Sequence, residues 1–145
     1  FVELIKNHVD IVFANAREAE LLLEISDPKD AAGELGKTVQ FAIVKDGAEG
    51  SYVKEQGEPI RHIPAAPAAE VVDTTGAGDV YAAGYLFGLI RNKDAADAGA
   101  FAAYVASRII QQVGAQFDEE TSADIRNAFA TESYKDAVYA KTGSK

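Results

Sequence analysis

VVDTTGAGDVYAAGYLFGLI, residues 71–90, passes from two β-branched residues through a turn of small residues into an apolar run. The pattern predicts a short buried strand at Val71 and Val72, a tight turn, and a helix. Gly76 and Gly78 permit backbone angles and close approaches that a side chain would forbid. A helix starting there leaves its first N–H groups without internal partners. Those donors, with the positive end of the helix dipole, make an anion site. Asp79 stands at its mouth. An anion cradle beside a carboxylate suits phosphoryl transfer, because the amides stabilise charge on the moving group and the acid accepts a hydroxyl proton.

Two other glycine-rich patterns fail. A dinucleotide fingerprint requires glycine where Tyr81 stands, and a Walker A loop ending at Gly36-Lys37-Thr38 requires its first glycine at Ala31. A plainer reading of Gly76–Asp79 is a helix start with an acid in the first turn, which the dipole favours anyway. The longer string Asp73-Thr74-Thr75-Gly76-Ala77-Gly78-Asp79, followed by Tyr81, Ala82, Ala83 and Gly84, is more specific. It resembles the C-terminal signature of the PfkB (ribokinase-like) family of carbohydrate and nucleoside kinases. The resemblance implies that Asp79 is the catalytic base and that the backbone of Gly76, Ala77 and Gly78 is the anion hole. Tyr81 stands where Phe is commoner in the family.

Upstream, Ile11–Ala14 reads as a buried strand of the kind found in parallel sheets. Asn15 and Glu18 after it have capping-box spacing, which explains them structurally. In the family the same N-x-x-E pattern has the Glu positioning Mg²⁺ through water, here Glu18, with Asn15 near the phosphates. A cap facing a ligand can serve both roles. Asp27-Pro28 opens another helix, to about Lys37. Val39–Lys45 is the next strand, and Ser51–Lys54 and Pro59–Ile63 flank a hairpin turn at 56–58. The turn 45–50 is a simple connection by its residues alone. By resemblance it is the loop beneath the nucleotide, with Lys45, Gly47 and Gly50 beside phosphates and ribose. Pro64-Ala65-Ala66-Pro67 is a stiff connector. His8 and His62 have no partner at metal-ligand spacing and read as surface residues.

Downstream, Ala95–Val113 predicts a long helix in which Gly99, Ala102, Ala103 and Ala106 allow close backbone packing. The resemblance sets Ala103 beside the adenine, at a position often polar in relatives. It also leaves room for a monovalent cation such as K⁺ at Asp73, Thr75 and Gly114. Thr121 is expected to cap a last helix, and the residues after Thr131 to form a polar, frayed tail.

The strand–helix alternation with an inserted hairpin predicts an α/β fold: three layers, a largely parallel sheet with helices on both faces, ribokinase-like. Ligands then sit at the carboxyl ends of strands, a single edge for Asn15, Lys45 and Gly76. At 145 residues one domain is expected, 1–131, with a tail at 132–145. The net charge of −9 argues against nucleic acid and against anionic membrane surfaces. No apolar run is long enough to span a bilayer. Without cysteine there is no disulfide and no thiolate metal site.

The resemblance implies an ATP- and Mg²⁺-dependent cytoplasmic phosphotransferase acting on an alcohol of a sugar or nucleoside, with a homodimer left open. It covers roughly Val9 to Phe117, all in the family's C-terminal half, and Phe1 with the absence of Met fits a piece of a longer chain. No residues here resemble the family's sugar-binding glycines. The alternative is therefore a catalytically incomplete nucleotide-binding fragment, serving as a sensor or interaction module.

Overall fold

The computed structural model describes residues 2–140. They form two compact units, one ending at Ile63 and the other starting at Pro64. The division between these units falls at the proline connector. Two prolines in four residues stiffen the chain and withhold backbone donors from any ladder.

The first unit runs α1 (Val2–His8), β1 (Ile11–Asn15), α2 (Ala16–Leu23), α3 (Pro28–Leu35), β2 (Phe41–Lys45), a 3₁₀ turn (Gly47–Glu49), β3 (Ser51–Glu55) and β4 (Arg61–Ile63). Its sheet has the order β1-β2-β3-β4. β1 and β2 are parallel and aligned without offset, from Ile11 opposite Phe41 to Asn15 opposite Lys45. β2–β3 and β3–β4 are antiparallel. The sheet is thus mixed, with one parallel pair, because the connections after β2 and β3 are too short for a crossover. α2 and α3 lie between β1 and β2 in sequence and supply that crossover. Ala19, Ala31, Ala32 and Leu35 pack with Ala14, Ala42 and Val44 in one core. Asp27 caps α3 by accepting the Asp30 N–H at 3.0 Å, with Pro28 in the first turn, as its spacing predicts.

The second unit holds α4 (Ala77–Ile90), α5 (Ala95–Ile109), α6 (Glu119–Thr131) and α7 (Tyr134–Tyr139). α4 and α5 approach closely: a Cβ on Gly84 would lie 3.2 Å from the Ala102 Cα, and one on Gly88 3.0 Å from the Ala98 Cα. Phe87, Phe101, Phe129 and Tyr134 stack edge to face beside this seam.

Four expectations change. Val71 and Val72 form no strand and are exposed; the N–H groups of Val72 and Asp73 both donate to the Ile110 carbonyl, at 2.7 and 3.1 Å, instead of to a ladder. α5 stops at Ile109, beyond which the amides of Gln111 and Gln112 turn back to carbonyls three residues earlier. α6 begins at Glu119, not Thr121. Asp118 is the cap, accepting the Thr121 N–H at 2.7 Å. Finally, the segment after Thr131 is helical through α7 and buries Tyr134 and Val138. Their one-turn spacing supplies an apolar face that the surrounding charges obscure. The last five residues of the expected tail lie outside the described residues. No described helix is long and apolar enough to cross a membrane.

Candidate functional site

In the first unit, Asn15 closes β1 and Lys45 closes β2, as register partners. Two candidate loops therefore leave adjacent parallel strands at their carboxyl ends. Asn15 is also the N-cap of α2, with extended dihedrals. Its Oδ1 accepts the Glu18 N–H at 2.8 Å, and the Asn15 N–H donates to Glu18 Oε2 at 2.9 Å. The capping box is complete, yet both residues are exposed. Glu18 uses one carboxylate oxygen on the cap and keeps the other for solvent or a ligand.

The loop after Lys45 is held by its own backbone. The Asp46 N–H donates to Gly50 O at 2.8 Å and the Glu49 N–H to Asp46 O at 3.0 Å. Gly50 sits at φ 104°, ψ −139°, a conformation open to glycine almost alone. Gly47, at φ 54°, has nothing within 4 Å of where a Cβ would stand, so backbone is accessible there.

In the second unit, Gly76 is the N-cap of α4 at φ 76°, ψ 0°, and no side chain caps the helix. The Ala77 N–H reaches back to Thr74 O at 3.2 Å, and the Val80 N–H begins the helical ladder on Gly76 O at 2.9 Å. Between them, the amides of Gly78 and Asp79 belong to the first turn, where the helix offers no carbonyl. Asp79 is the third helical residue and is exposed beside them. Such an end can take an anion on its amides and a proton on its carboxylate.

Asp73 organises the approach to this turn. Its Oδ1 accepts the Thr75 N–H at 2.9 Å and its Oδ2 the Gly114 N–H at 3.1 Å. The Thr75 hydroxyl and N–H, then the Gly114 N–H, hold the Asp73 carboxyl below the ordinary value of 3.8. The three residues singled out for a monovalent cation are thus brought together. Ala103 is buried on α5. Gly76 follows no strand among the described residues, so the expected common origin of all three loops at strand ends holds only for Asn15 and Lys45.

An apolar groove of about 630 Å³ lies among α4, α5 and α6, lined in part by Phe87, Phe101, Phe117 and Phe129. It contains no carboxylate and none of the candidate residues, so it is not where acid–base chemistry would occur. Among the described residues no three His, Asp or Glu side chains gather around a metal position. Gly114 beside Asp73 is expected from the resemblance; what the sequence did not reveal is the grip of the loop after α5 on the turn through Ile110 and Ala115. Those contacts join residues some forty positions apart, and no local pattern signals them.

The first unit thus carries a strand-end cap and a glycine-shaped loop, and the second an open helix start with its own acid. The family model of pfkB family carbohydrate kinases matches residues 1–122, and the chain belongs to that family. It is 34% identical over 118 residues to an uncharacterized sugar kinase of Archaeoglobus fulgidus, covering 79% of this chain and 45% of that protein. Among solved structures it is similar to adenosine kinase from Sinorhizobium meliloti, with TM-score 0.79, 36% identity, and coverage of 88% of this chain and 39% of that one. It is also similar to Arabidopsis thaliana ribokinase complexed with ribose and ATP, with TM-score 0.74, 30% identity, and coverage of 85% and 42%. The α/β, ribokinase-like fold class is therefore that of this chain, which spans less than half the length of these relatives.

Proposed function

We propose that this chain is the nucleotide-binding and catalytic part of a cytoplasmic kinase that transfers the γ-phosphoryl group of ATP to an alcohol of a sugar or nucleoside. The single observation that carries the reading is the uncapped start of α4, with Gly76 left-handed and Asp79 in the first turn. Mg·ATP, when bound, supplies the phosphoryl group and part of the charge neutralisation. The amides of Gly76 and Gly78, and that of Ala77 once released from the Thr74 carbonyl, would hold negative charge as it builds on the phosphoryl oxygens. Asp79 would accept the proton of the acceptor hydroxyl. Asn15, Lys45, Gly47, Gly50 and Ala103 would line the nucleotide, with the glycines allowing backbone to approach phosphates and ribose.

The donor set fits a hard cation held chiefly by phosphate oxygens and water, with Glu18 lending its outward oxygen. A monovalent cation such as K⁺ would share the Asp73 carboxylate with the Thr75 and Gly114 amides. The family relationship supports a small-molecule acceptor, and the relatives include an adenosine kinase, a ribokinase and a sugar kinase. The test is a phosphorylation screen of the full-length protein with Mg·ATP against sugars and nucleosides. ADP release with none of them would overturn the reading if ATP binding were also absent.

The second reading, a nucleotide-binding piece without catalysis, is favoured by one fact: the chain spans less than half of its relatives. On its own, this 145-residue chain should bind Mg·ATP weakly by calorimetry and release no substrate-dependent ADP, since catalysis requires an acceptor held in line and ~1 Å of misplacement costs ~10²-fold. Ordinary kinase rates from the isolated chain would show that these residues build the acceptor site too.

A further inference from the structure

The loop after α5 meets the glycine turn before α4 at its pivot. The hydrogen bonds to Ile110 O and from Gly114 N–H hold the approach, residues 72 and 73. The space beside Gly76 itself is filled by Ala115: a Cβ built on Gly76 would stand 2.6 Å from the Ala115 Cβ and 3.7 Å from its Cα. Apart from Gly76 and its two chain neighbours, no other described residue comes within 4 Å of that position, so one methyl group bounds it on that side.

This matters because Gly76 is the residue with the most freedom at the place that needs the least. Its left-handed dihedrals set the direction in which α4 leaves the turn, and so the aim of the amides of Ala77, Gly78 and Asp79 and of the Asp79 carboxylate. Glycine reaches many other backbone conformations at little cost. No side chain caps the helix to restrict it. A methyl group packed against the α-carbon removes conformations that would swing the turn toward the loop.

We propose that Ala115 is a positioning residue: its methyl group holds Gly76 in the left-handed conformation that aims the start of α4. Its Cβ, and nothing beyond the Cβ, carries the role. The catalytic consequence rests on the kinase reading above; the conformational claim does not.

The experiment compares Ala115→Gly with Ala115→Ser in the full-length protein. Ala115→Gly removes the contact; Ala115→Ser keeps the Cβ and serves as the conservative control. The first readout, independent of activity, is hydrogen exchange at the amides of Ala77 and Val80, which donate to the Thr74 and Gly76 carbonyls. Exchange should quicken in Ala115→Gly and stay near wild type in Ala115→Ser, with protection in the rest of α4 unchanged. The second readout is kinetic. Ala115→Gly should lower kcat by about tenfold with KM for Mg·ATP within about twofold, the pattern of lost transition-state positioning, while Ala115→Ser stays within about twofold on both. Unchanged exchange in Ala115→Gly, or equal damage from Gly and Ser, overturns the proposal. A wild-type protein that phosphorylates none of the acceptors counts against the kinase reading, and the exchange rates then decide the role of Ala115 alone.

Discussion

Two carboxylates stand at the start of two helices, and their surroundings separate their roles. Asp79 makes no cap on a neighbouring amide, because Gly76 precedes α4 and the helix has no side-chain cap. Its oxygens are available to a substrate proton. On the kinase reading, Asp79→Asn should therefore lower turnover of the full-length protein by ~10²-fold or more, the range for a general base, while nucleotide binding persists on the backbone donors. Steady-state kinetics with a parallel binding titration checks this; near-normal turnover would remove Asp79 from the role. Glu18 is different, since one oxygen already closes the capping box on Asn15. Gln serves a capping box as well as Glu does. If Glu18 also orients Mg²⁺ through its second oxygen, Glu18→Gln should shift the Mg²⁺ titration of activity to higher concentration with no change in thermal stability. Superimposable titrations would leave Glu18 as a cap only.

The α4–α5 pair is the element on which the start of α4 depends. α4 is apolar on all sides, so its pattern alone does not say which face meets a neighbour. Gly84 and Gly88, one turn apart, decide it by letting the backbone of α5 come close at Ala102 and Ala98. A side chain at position 88 has no room, because the nearest atom is backbone and cannot rotate away. Gly88→Val should destabilise by ~1–3 kcal/mol through overpacking, read by urea unfolding followed by circular dichroism. A loss within a few tenths would mean the seam can part. The smallness of residues on α5 was legible in the sequence, but which of them face α4 was not. Ala98 and Ala102 take that place, and only the helix crossing selects them.

At the scale of the molecule, acid and base should act on different parts of the second unit. Asp73, Asp118 and Glu132 all have carboxyls held below their ordinary values. Asp73 is held by Thr75 and Gly114, Asp118 by the Thr121 N–H and hydroxyl, and Glu132 by Lys93 and Lys135. A carboxyl with a depressed folded pKa adds stability above its unfolded value and loses it as pH falls through the folded one. These groups should leave the melting temperature level near neutrality and lower it below about pH 4. Asp118→Asn keeps a capping oxygen and should remove part of that acid sensitivity. Tyr134 has the opposite sign. Burial, with Asp97 nearby, pushes its hydroxyl from 10 up to about 12. Its contribution is whole below pH 10 and is lost as pH rises through about 12. Its buried oxygen has no hydrogen-bond partner among the described residues. Tyr134→Phe should therefore cost little at neutral pH and should weaken the alkaline step that loosens α7. A large loss at neutral pH would mean the hydroxyl has a partner after all.

The sequence by itself determined what is local. The capping box of Asn15 and Glu18, the Asp27-Pro28 helix start, the glycine turn at 45–50 and the placement of Asp79 in the first turn of α4 all depend on neighbours within a few residues, so spacing suffices to read them. The parallel pairing of β1 and β2 followed from the helical crossover between them. Tertiary structure alone decided the rest. Val71 and Val72 have strand-forming side chains, but a strand exists only where a partner ladder accepts its amides, and theirs end on the Ile110 carbonyl. Residues 134–139 look polar in one dimension and become a helix in which Tyr134 enters an aromatic cluster and Val138, one turn on, is buried. Gly76 is legible as a turn glycine. That Ala115 bounds it is not, because the contact joins distant parts of the chain and depends on where α5 ends.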